Sequence, residues 1–291
     1  MYRIIVSIVG GASLGGIYAL VTLGIVLAYR ATGTFNFAQG QLLLLPAFLV
    51  GAWSTSHSAP LGVTLLVALL GTGLVAALMH RLVLQRTTGL PLFMGVIATF
   101  GVASVLDGVM SLAFPEGQYN LTLPGLSTGV MEIFGARVAI NSLQLMAVSF
   151  LVVFAVLALL RFTSLGRKIR AAGQDPILAS QGGINVRLLH TFSWGLSGVL
   201  AAVGGIAYGS THLVDPTVVA LMLACFPAQL IGGLDSIGGA LVGGLLIGIL
   251  QGFVATYFGA QLLDVYTYGL LLLTMLVLPQ GLFGTRSAIR V

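Results

Sequence analysis

The chain has 291 residues, of which 58% are hydrophobic and only 7% are charged, and its mean hydropathy is +1.09. A soluble domain carries about 25% charged residues, so this composition excludes a soluble protein. Continuous apolar runs such as residues 140–160 favour membrane-spanning helices over barrel strands, which alternate polar and apolar residues. The predicted fold class is therefore all-α: a polytopic helical integral membrane protein.

Glycine, cysteine and net charge refine this class. Forty glycines predict closely packed helices, because small residues let helix backbones approach each other. Cys225 is the only cysteine and lies in an apolar run, which excludes an internal disulfide and predicts a small buried side chain. The positions of the charged residues say more than the net charge of +5, because they bear on the orientation in the membrane. We expect no nucleic-acid partner.

About 20 apolar residues are needed to cross a bilayer as a helix. By that measure about nine candidate spans follow one another, at residues 4–29, 38–53, 61–79, 90–114, 140–160, 188–208, 217–231, 237–258 and 265–282. The second and seventh are unusually short and contain Pro46 and Pro227. Short, interrupted spans are typical of re-entrant or broken helices in transporters, so we expect eight to ten segments in total.

The two halves of the chain have a weak similarity. Gly-Gly-Ile occurs at residues 15–17 in the first span and at residues 204–206 in the sixth, and a short, proline-containing span follows each. The pattern is consistent with two pseudo-repeated halves, although a tripeptide match arises easily by accident in a glycine-rich chain.

Basic residues predict the orientation, because cytoplasmic loops are enriched in Lys and Arg. Residues 161–187 contain five of them against one acid, and the C-terminus adds Arg286 and Arg290. Both regions are therefore predicted to be cytoplasmic. Four spans lie between them, and an even number returns the chain to the same side of the membrane. The same count places residues 115–137 outside, together with the N-terminus, although Arg3 argues against the latter.

A short helix is predicted within the basic loop. Asp175 is a good N-cap, because its carboxylate accepts from the free amides of the first turn. Pro176 suits the first helical position, Ile177 continues the helix, and two glycines at residues 182–183 end it in a left-handed conformation. A capped helix after a basic run predicts a docking element, and a plain positively charged loop is the alternative.

Polar residues at the second and fourth spans are candidates for a substrate pathway. Asn36 with Gln39 resembles a capping box that opens the second span, and Gln41 adds a third polar group suited to a wet cavity rather than lipid. Asp107 lies inside the fourth span, where an acid is costly and predicts function. Helix capping is the alternative for the first group, and a hydrogen-bonded structural role is the alternative for Asp107.

A nucleotide-binding P-loop needs Gly-Lys followed by Ser or Thr. The only lysine, Lys168, follows Arg167 and precedes Ile169. We therefore expect no nucleotide-binding site and no enzymatic activity in this chain, so an ATP-driven cycle needs separate ATPase subunits.

Three stretches resemble a known family. Residues 16–20 (Gly-Ile-Tyr-Ala-Leu), 29–33 (Tyr-Arg-Ala-Thr-Gly) and 36–40 (Asn-Phe-Ala-Gln-Gly) are similar to the N-terminal signature of LivH-type permeases of branched-chain amino-acid ABC transporters. Gly166, Arg167 and Arg170 with Gly183 resemble the cytoplasmic coupling loop of that family. The glycine-rich residues 231–244 resemble its C-terminal segment, so the similarity covers nearly the whole chain.

The resemblance implies a heteromeric importer in a prokaryotic inner membrane. Its parts would be this permease, a second related permease, two cytoplasmic ABC ATPases that hold ATP and Mg, and an extracytoplasmic substrate-binding protein. One transmembrane domain would comprise residues 1–291, with no metal or cofactor of its own. Within residues 161–187, coupling to the ATPase would involve Gly166, Arg167, Arg170, Asp175, Pro176, Ile177 and Gly183.

Two positions depart from the family pattern and leave the substrate open. Gln41 stands where a Glu is usual, and Asp235 stands in a predicted tight turn where a small residue is usual. Relatives import urea, short amides and other amino acids, so the alternative substrates are urea, short amides or aromatic compounds. A further alternative is a secondary transporter or channel without ATPases, which predicts buried charge pairs in the spans, and the spans hold little charge beyond Asp107.

Overall fold

A computed structural model describes residues 2–56, 59–127, 129–133 and 136–284. Arg286 and Arg290 lie outside these described residues. The helices are α1 (Tyr2–Thr32), α2 (Gln39–Ser56), α3 (Leu61–Leu82), α4 (Leu92–Ala113), α5 (Ile140–Phe162), α6 (Ser164–Gln174), α7 (Pro176–Gln181), α8 (Val186–Gly209), α9 (Leu221–Gly232), α10 (Ile237–Tyr257) and α11 (Leu263–Val277). Short 3-10 turns occupy Leu84–Thr87, Pro216–Ala220 and Ala260–Leu262. A small antiparallel hairpin, β1 (Val130–Ile133) and β2 (Ala136–Ala139), precedes α5.

The helices confirm a polytopic membrane protein. In the described part of the chain, seven helical segments are long and apolar enough to cross a membrane. The two short spans predicted from the sequence correspond to α2, of 18 residues, and to the apolar stretch Pro216–Gly232. Both contain an internal proline, Pro46 in α2 and Pro227 in α9, and each proline removes a backbone donor from its helix.

The last helix ends earlier than predicted. The apolar run continues to residue 282, but α11 ends at Val277. Leu278 precedes a proline, and a residue in that position avoids the helical conformation; its φ of −132° and ψ of 75° lie outside the helical region. The chain then turns back, and the N–H of Leu282 donates to the carbonyl of Ile231 at 2.8 Å.

The chain forms two compact units, and neither is a continuous half of the sequence. Unit 1 comprises Met1–Val26, Gly125–Val153 and Leu223–Val291, and unit 2 comprises Leu27–Pro124 and Phe154–Met222. The halves suggested by the Gly-Gly-Ile pattern therefore do not coincide with the packing units.

In unit 1, α1 and α10 pack backbone against backbone. Gly11 and Gly15 on α1 face Gly248 and Gly252 on α10. A Cβ at Gly248 would overlap the backbone of Gly15, and one at Gly252 would lie 2.8 Å from the Cα of Gly11. The close packing predicted from the glycine content is confirmed at this helix pair.

Buried polar contacts connect the helices of unit 1. The hydroxyl of Tyr18 donates to Oε1 of Gln251 at 2.6 Å, and Nε2 of Gln251 donates to the hydroxyl of Thr267 at 3.0 Å. All three side chains are buried. They supply one another with the hydrogen-bond partners that lipid cannot provide. Cys225 is buried and free, as predicted. Asp235 lies in the predicted turn between α9 and α10.

In unit 2, α8 packs between α2 and α3. Gly198 lies against Ala76 of α3, and Gly205 lies so close to Leu43 of α2 that a Cβ would overlap the Leu43 carbonyl. The fully buried Trp194 of α8 packs against His80 near the C-terminal end of α3, with ring centroids 5.8 Å apart. The contacts show that α8 runs parallel to α2 and antiparallel to α3.

Candidate functional sites

The helix predicted within residues 161–187 is present as α7. Asp175 lies before it in an extended conformation, and its Oδ1 accepts from the N–H of Ile177 at 2.9 Å and of Leu178 at 3.0 Å. Pro176 occupies the first helical position, where the missing N–H leaves no bond unmade. The predicted N-cap is confirmed.

The end of α7 is also defined by local hydrogen bonds. The N–H of Gly183 donates to the carbonyl of Ser180 at 3.0 Å, and the N–H of Ile184 donates to the carbonyl of Ala179 at 3.1 Å. This pair of bonds is a Schellman motif, which requires a left-handed residue. Gly183 has a φ of +82°, which glycine adopts without strain.

A tight corner joins α5 to α6 and so positions α7. The hydroxyl of Thr163 caps α6 by accepting from the N–H of Gly166 at 3.3 Å. The guanidinium of Arg170 donates to the carbonyl of Leu160, in the last turn of α5, where helix carbonyls lack intrahelical partners. Arg170 is thus half-buried and holds the corner, whereas Arg167 is exposed.

We expect Gly166→Ala to open this corner, because a Cβ at Gly166 would overlap the carbonyl of Leu160. Overpacking of this kind costs about 1–3 kcal/mol, which raises the population of the opened segment about fivefold to 150-fold. Limited proteolysis within residues 161–187 should accelerate accordingly. The matched control is Gly182→Ala, whose added Cβ would meet its nearest atom at 3.4 Å. Equal proteolysis rates in the two variants would contradict the packing at this corner.

The first turn of α7 exposes two large apolar side chains, and the polar residues 180–181 are exposed in its second turn. The side chains of Ile177 and Leu178 are 71% and 63% exposed, and α7 is not part of a membrane span. Arg167 and Lys168 are exposed on the neighbouring α6. Exposed apolar side chains rimmed by charged residues are typical of surfaces that bind a protein or a membrane.

Basic residues from several loops gather at the same end of unit 2. The end of α3 meets the beginning of α8, where Nδ1 of His80 lies 2.9 Å from the hydroxyl of Thr191. Gln85, in the turn after α3, donates to the same hydroxyl at 3.2 Å. Gly173 of α6 lies beside Arg30 at the end of α1. The arginines at positions 30, 81, 86 and 187 therefore share one end with α6 and α7.

Asn36 and Gln39 form a closed polar cluster at the beginning of α2. Nδ2 of Asn36 donates to Oε1 of Gln39 at 2.8 Å, and the hydroxyl of Ser197 donates to the same oxygen at 3.2 Å. Asn36 also caps the turn by accepting from the N–H of Ala38 at 3.1 Å. The predicted capping box is thus only half formed, because the side chain of Gln39 bonds to the Asn36 side chain and to the hydroxyl and carbonyl of Ser197 rather than to the Asn36 backbone N–H. Ser197 lies midway along α8, so α2 begins at half the height of α8.

A cavity of about 330 Å³ lies within unit 2 beside Asp107. Oδ2 of Asp107 accepts from Nε2 of Gln41 at 3.3 Å. The rest of the wall contains Ser111, Gly117 and the apolar residues Leu44, Phe48, Met110, Phe114, Pro216 and Val219. A mostly apolar cavity of about 300–1,000 Å³ with few polar groups is typical of a small-molecule site.

The structure separates the four residues predicted for the pathway into two groups. Asp107 lines the cavity and Gln41 bonds to it, whereas Asn36 and Gln39 are buried in the cluster at the beginning of α2. The role of all four residues in a substrate pathway stays a prediction. Ser111 and the two phenylalanines of the cavity wall were not predicted from the sequence. The four-residue spacing from Asp107 to Ser111, which puts both on one helix face, was the signal for Ser111.

The chain is similar to several permeases of known name. The family profile described as branched-chain amino acid transport system, permease component, matches residues 7–279. The chain is 28% identical over 289 residues to the high-affinity branched-chain amino acid transport system permease protein LivH of Escherichia coli K12, covering 94% of this chain and 93% of that protein. It is 27% identical over 300 residues to BraD of Pseudomonas aeruginosa, covering 98% and 97%. It is 28% identical over 231 residues to the guanosine ABC transporter permease protein NupQ of Bacillus subtilis, covering 73% and 70%.

One solved structure has a similar fold. PsaBC from Streptococcus pneumoniae in complex with Fab superposes with a TM-score of 0.52 at 13% identity, covering 93% of this chain and 91% of that one. At this identity the similarity concerns the fold alone. The profile match over nearly the whole length shows more: the chain belongs to the family of permease components of branched-chain amino acid transport systems.

Proposed function

We propose that this chain is the permease subunit of an ATP-driven importer of branched-chain or similar amino acids. The observation that carries the proposal is α7, which is capped at both ends and exposes Ile177 and Leu178. A helix of six residues is not stable by itself, so two caps that preserve an exposed apolar surface support a docking role. The family of the chain supports an ATPase as the partner.

The proposed complex has five protein parts. This permease pairs with a second related permease, two cytoplasmic ABC ATPases bind ATP and Mg, and an extracytoplasmic binding protein delivers the substrate. The end of unit 2 that carries α6 and α7 faces the cytoplasm of a prokaryotic cell by the positive-inside rule. The chain itself binds no nucleotide in this proposal, because its only lysine, Lys168, stands outside any P-loop sequence.

In the proposed cycle, closure of the ATPases pushes on α7 and tilts the spans. The force passes through α6 to α5, because Arg170 ties α6 to the carbonyl of Leu160. It passes to α8 through the short connection after Gly183, where Asn185 caps α8 by accepting from the N–H of Leu188 at 3.1 Å. Alternating access follows when both helices move with α7.

The test begins with purification of the tagged chain in mild detergent from its own cells, followed by mass spectrometry of the proteins that accompany it. We expect an ABC ATPase and a related permease, and we expect leucine uptake by the reconstituted complex to require ATP. An unrelated membrane protein with the same tag is the control. A complex of this chain alone that transports without ATP would overturn the proposal in favour of a secondary transporter or channel.

A further inference from the structure

We infer that the cavity beside Asp107 binds the ammonium group of the transported amino acid, while its apolar wall receives the aliphatic side chain. The inference rests on the proposed function, since that function makes the substrate an amino acid. It goes further by assigning one chemical group of the substrate to one residue of this chain.

The charge of Asp107 has no ionic partner among the described residues. Its side chain is exposed rather than packed among other residues, 15 residues into α4, a helix long and apolar enough to span the membrane, and a lone carboxylate within a span is costly. Among the residues that the structure describes, it forms no ion pair and accepts one hydrogen bond, from Gln41. An amide is neutral and leaves the charge of the carboxylate in place. A cationic ligand supplies the missing compensation.

The groups around the carboxylate suit an ammonium group. A carboxylate has about four acceptor positions, and Gln41 occupies one of them. Ser111 adds a hydroxyl one helical turn along the same wall. The rings of Phe48 and Phe114, with centroids 5.2 Å apart, add aromatic faces that attract cations. An ammonium group, with three donors and a positive charge, matches this combination.

The rest of the cavity wall suits the apolar side chain of the substrate and not its carboxylate. None of the residues that line the cavity is Lys, Arg or His, so this wall offers no ionic partner to a carboxylate. Asp107 would repel one. The aliphatic and thioether side chains of Leu44, Met110 and Val219 instead suit the apolar side chain of the substrate, and the volume of about 330 Å³ lies at the small end of ligand cavities.

Gln41 acts as a positioning residue for Asp107. Its Nε2 donates to the carboxylate, while its Oε1 is buried and has no partner among the described residues. The reverse orientation of the amide would place an oxygen against the carboxylate, so this orientation alone suits a charged Asp107. The amide therefore holds the carboxylate in place at the wall of the cavity.

The test measures the charge of the cavity in the assembled transporter with Ser111→Cys. The native Cys225 is fully buried, and Cys225→Ala leaves this chain with the introduced thiol alone, so modification is followed on this chain. We expect a cationic trimethylammonium methanethiosulfonate to modify the introduced thiol about tenfold faster than the anionic sulfonate reagent, because one sign of charge in a cleft concentrates its counter-ions by at least that factor. Both rates are normalised to those with free mercaptoethanol. Asp107→Asn should bring the ratio close to one, whereas Asp264→Asn, on α11, should leave it unchanged.

A protection experiment identifies the group that binds. Leucine amide, which keeps the ammonium group without the carboxylate, should slow modification as leucine does, and N-acetyl-leucine should not. Equal protection by N-acetyl-leucine, a charge preference that survives Asp107→Asn, or a thiol that no reagent reaches would each overturn the inference. The outcomes are separable from those of the proposed function, because the charge preference needs no transport. ATP-driven uptake without the charge preference would support the importer and overturn the ammonium site. The charge preference without ATP-driven uptake would support a cation-attracting cavity and overturn the importer.

Discussion

Replacing Asp175 with proline is expected to abolish ATP-driven uptake while the spans remain in the membrane. Asp175 caps α7 with two hydrogen bonds, and its own N–H donates to the carbonyl of Ala171 at 3.1 Å. Proline removes the cap and the donor, and it requires a φ near −65° where Asp175 has −149°. The lost cap and hydrogen bond cost about 1 kcal/mol each, so the formed helix becomes at least tenfold rarer.

The matched control is Asp175→Asn, because asparagine caps helices about as well as aspartate. We expect the control to transport near the wild-type rate and both variants to reach the membrane in equal amounts. Uptake is measured with radiolabelled leucine, and ATP hydrolysis by the assembled complex is measured in parallel. Normal uptake by the proline variant would remove α7 as the coupling element.

The second large effect is expected from Gly248→Ala on α10. The new Cβ would overlap the backbone of Gly15 on α1, and a backbone cannot turn aside as a flexible side chain does. Overpacking in a well-packed core lowers the free energy of unfolding by about 1–3 kcal/mol. Because the new contact is between two backbones, we expect a loss near the upper end of that range. We expect the detergent-solubilised variant to unfold at a lower temperature than the wild type, as measured by tryptophan fluorescence.

Gly238→Ala on the same helix supplies the opposite expectation. Nothing lies within 4 Å of a Cβ at Gly238, and alanine is more favourable than glycine in a helix by about 1 kcal/mol. The control should therefore unfold at the same or a slightly higher temperature. Shifts of the same sign and size in both variants would show that α1 and α10 do not pack through these glycines.

Local chemistry explains why α7 was predictable. Its cap, its first-turn proline and its glycine end all act between residues at most a few positions apart, so the sequence contains every partner. The spans were predictable for a related reason, since insertion in lipid depends on the hydrophobicity of a continuous segment. The prediction failed at the end of α11, where the apolar run hid the effect of the proline after Leu278.

By itself, the sequence determined a helical membrane protein with two short, proline-containing spans, a capped helix in a basic loop, and a resemblance to LivH-type permeases. Tertiary structure alone decided which polar residues meet. Gln39 bonds to Ser197 across 158 positions and Gln41 bonds to Asp107 across 66, and no local pattern specifies such pairs. The physical reason is that a cavity or a contact between helices depends on how several helices pack, whereas caps and hydrophobic spans depend on neighbouring residues along the chain.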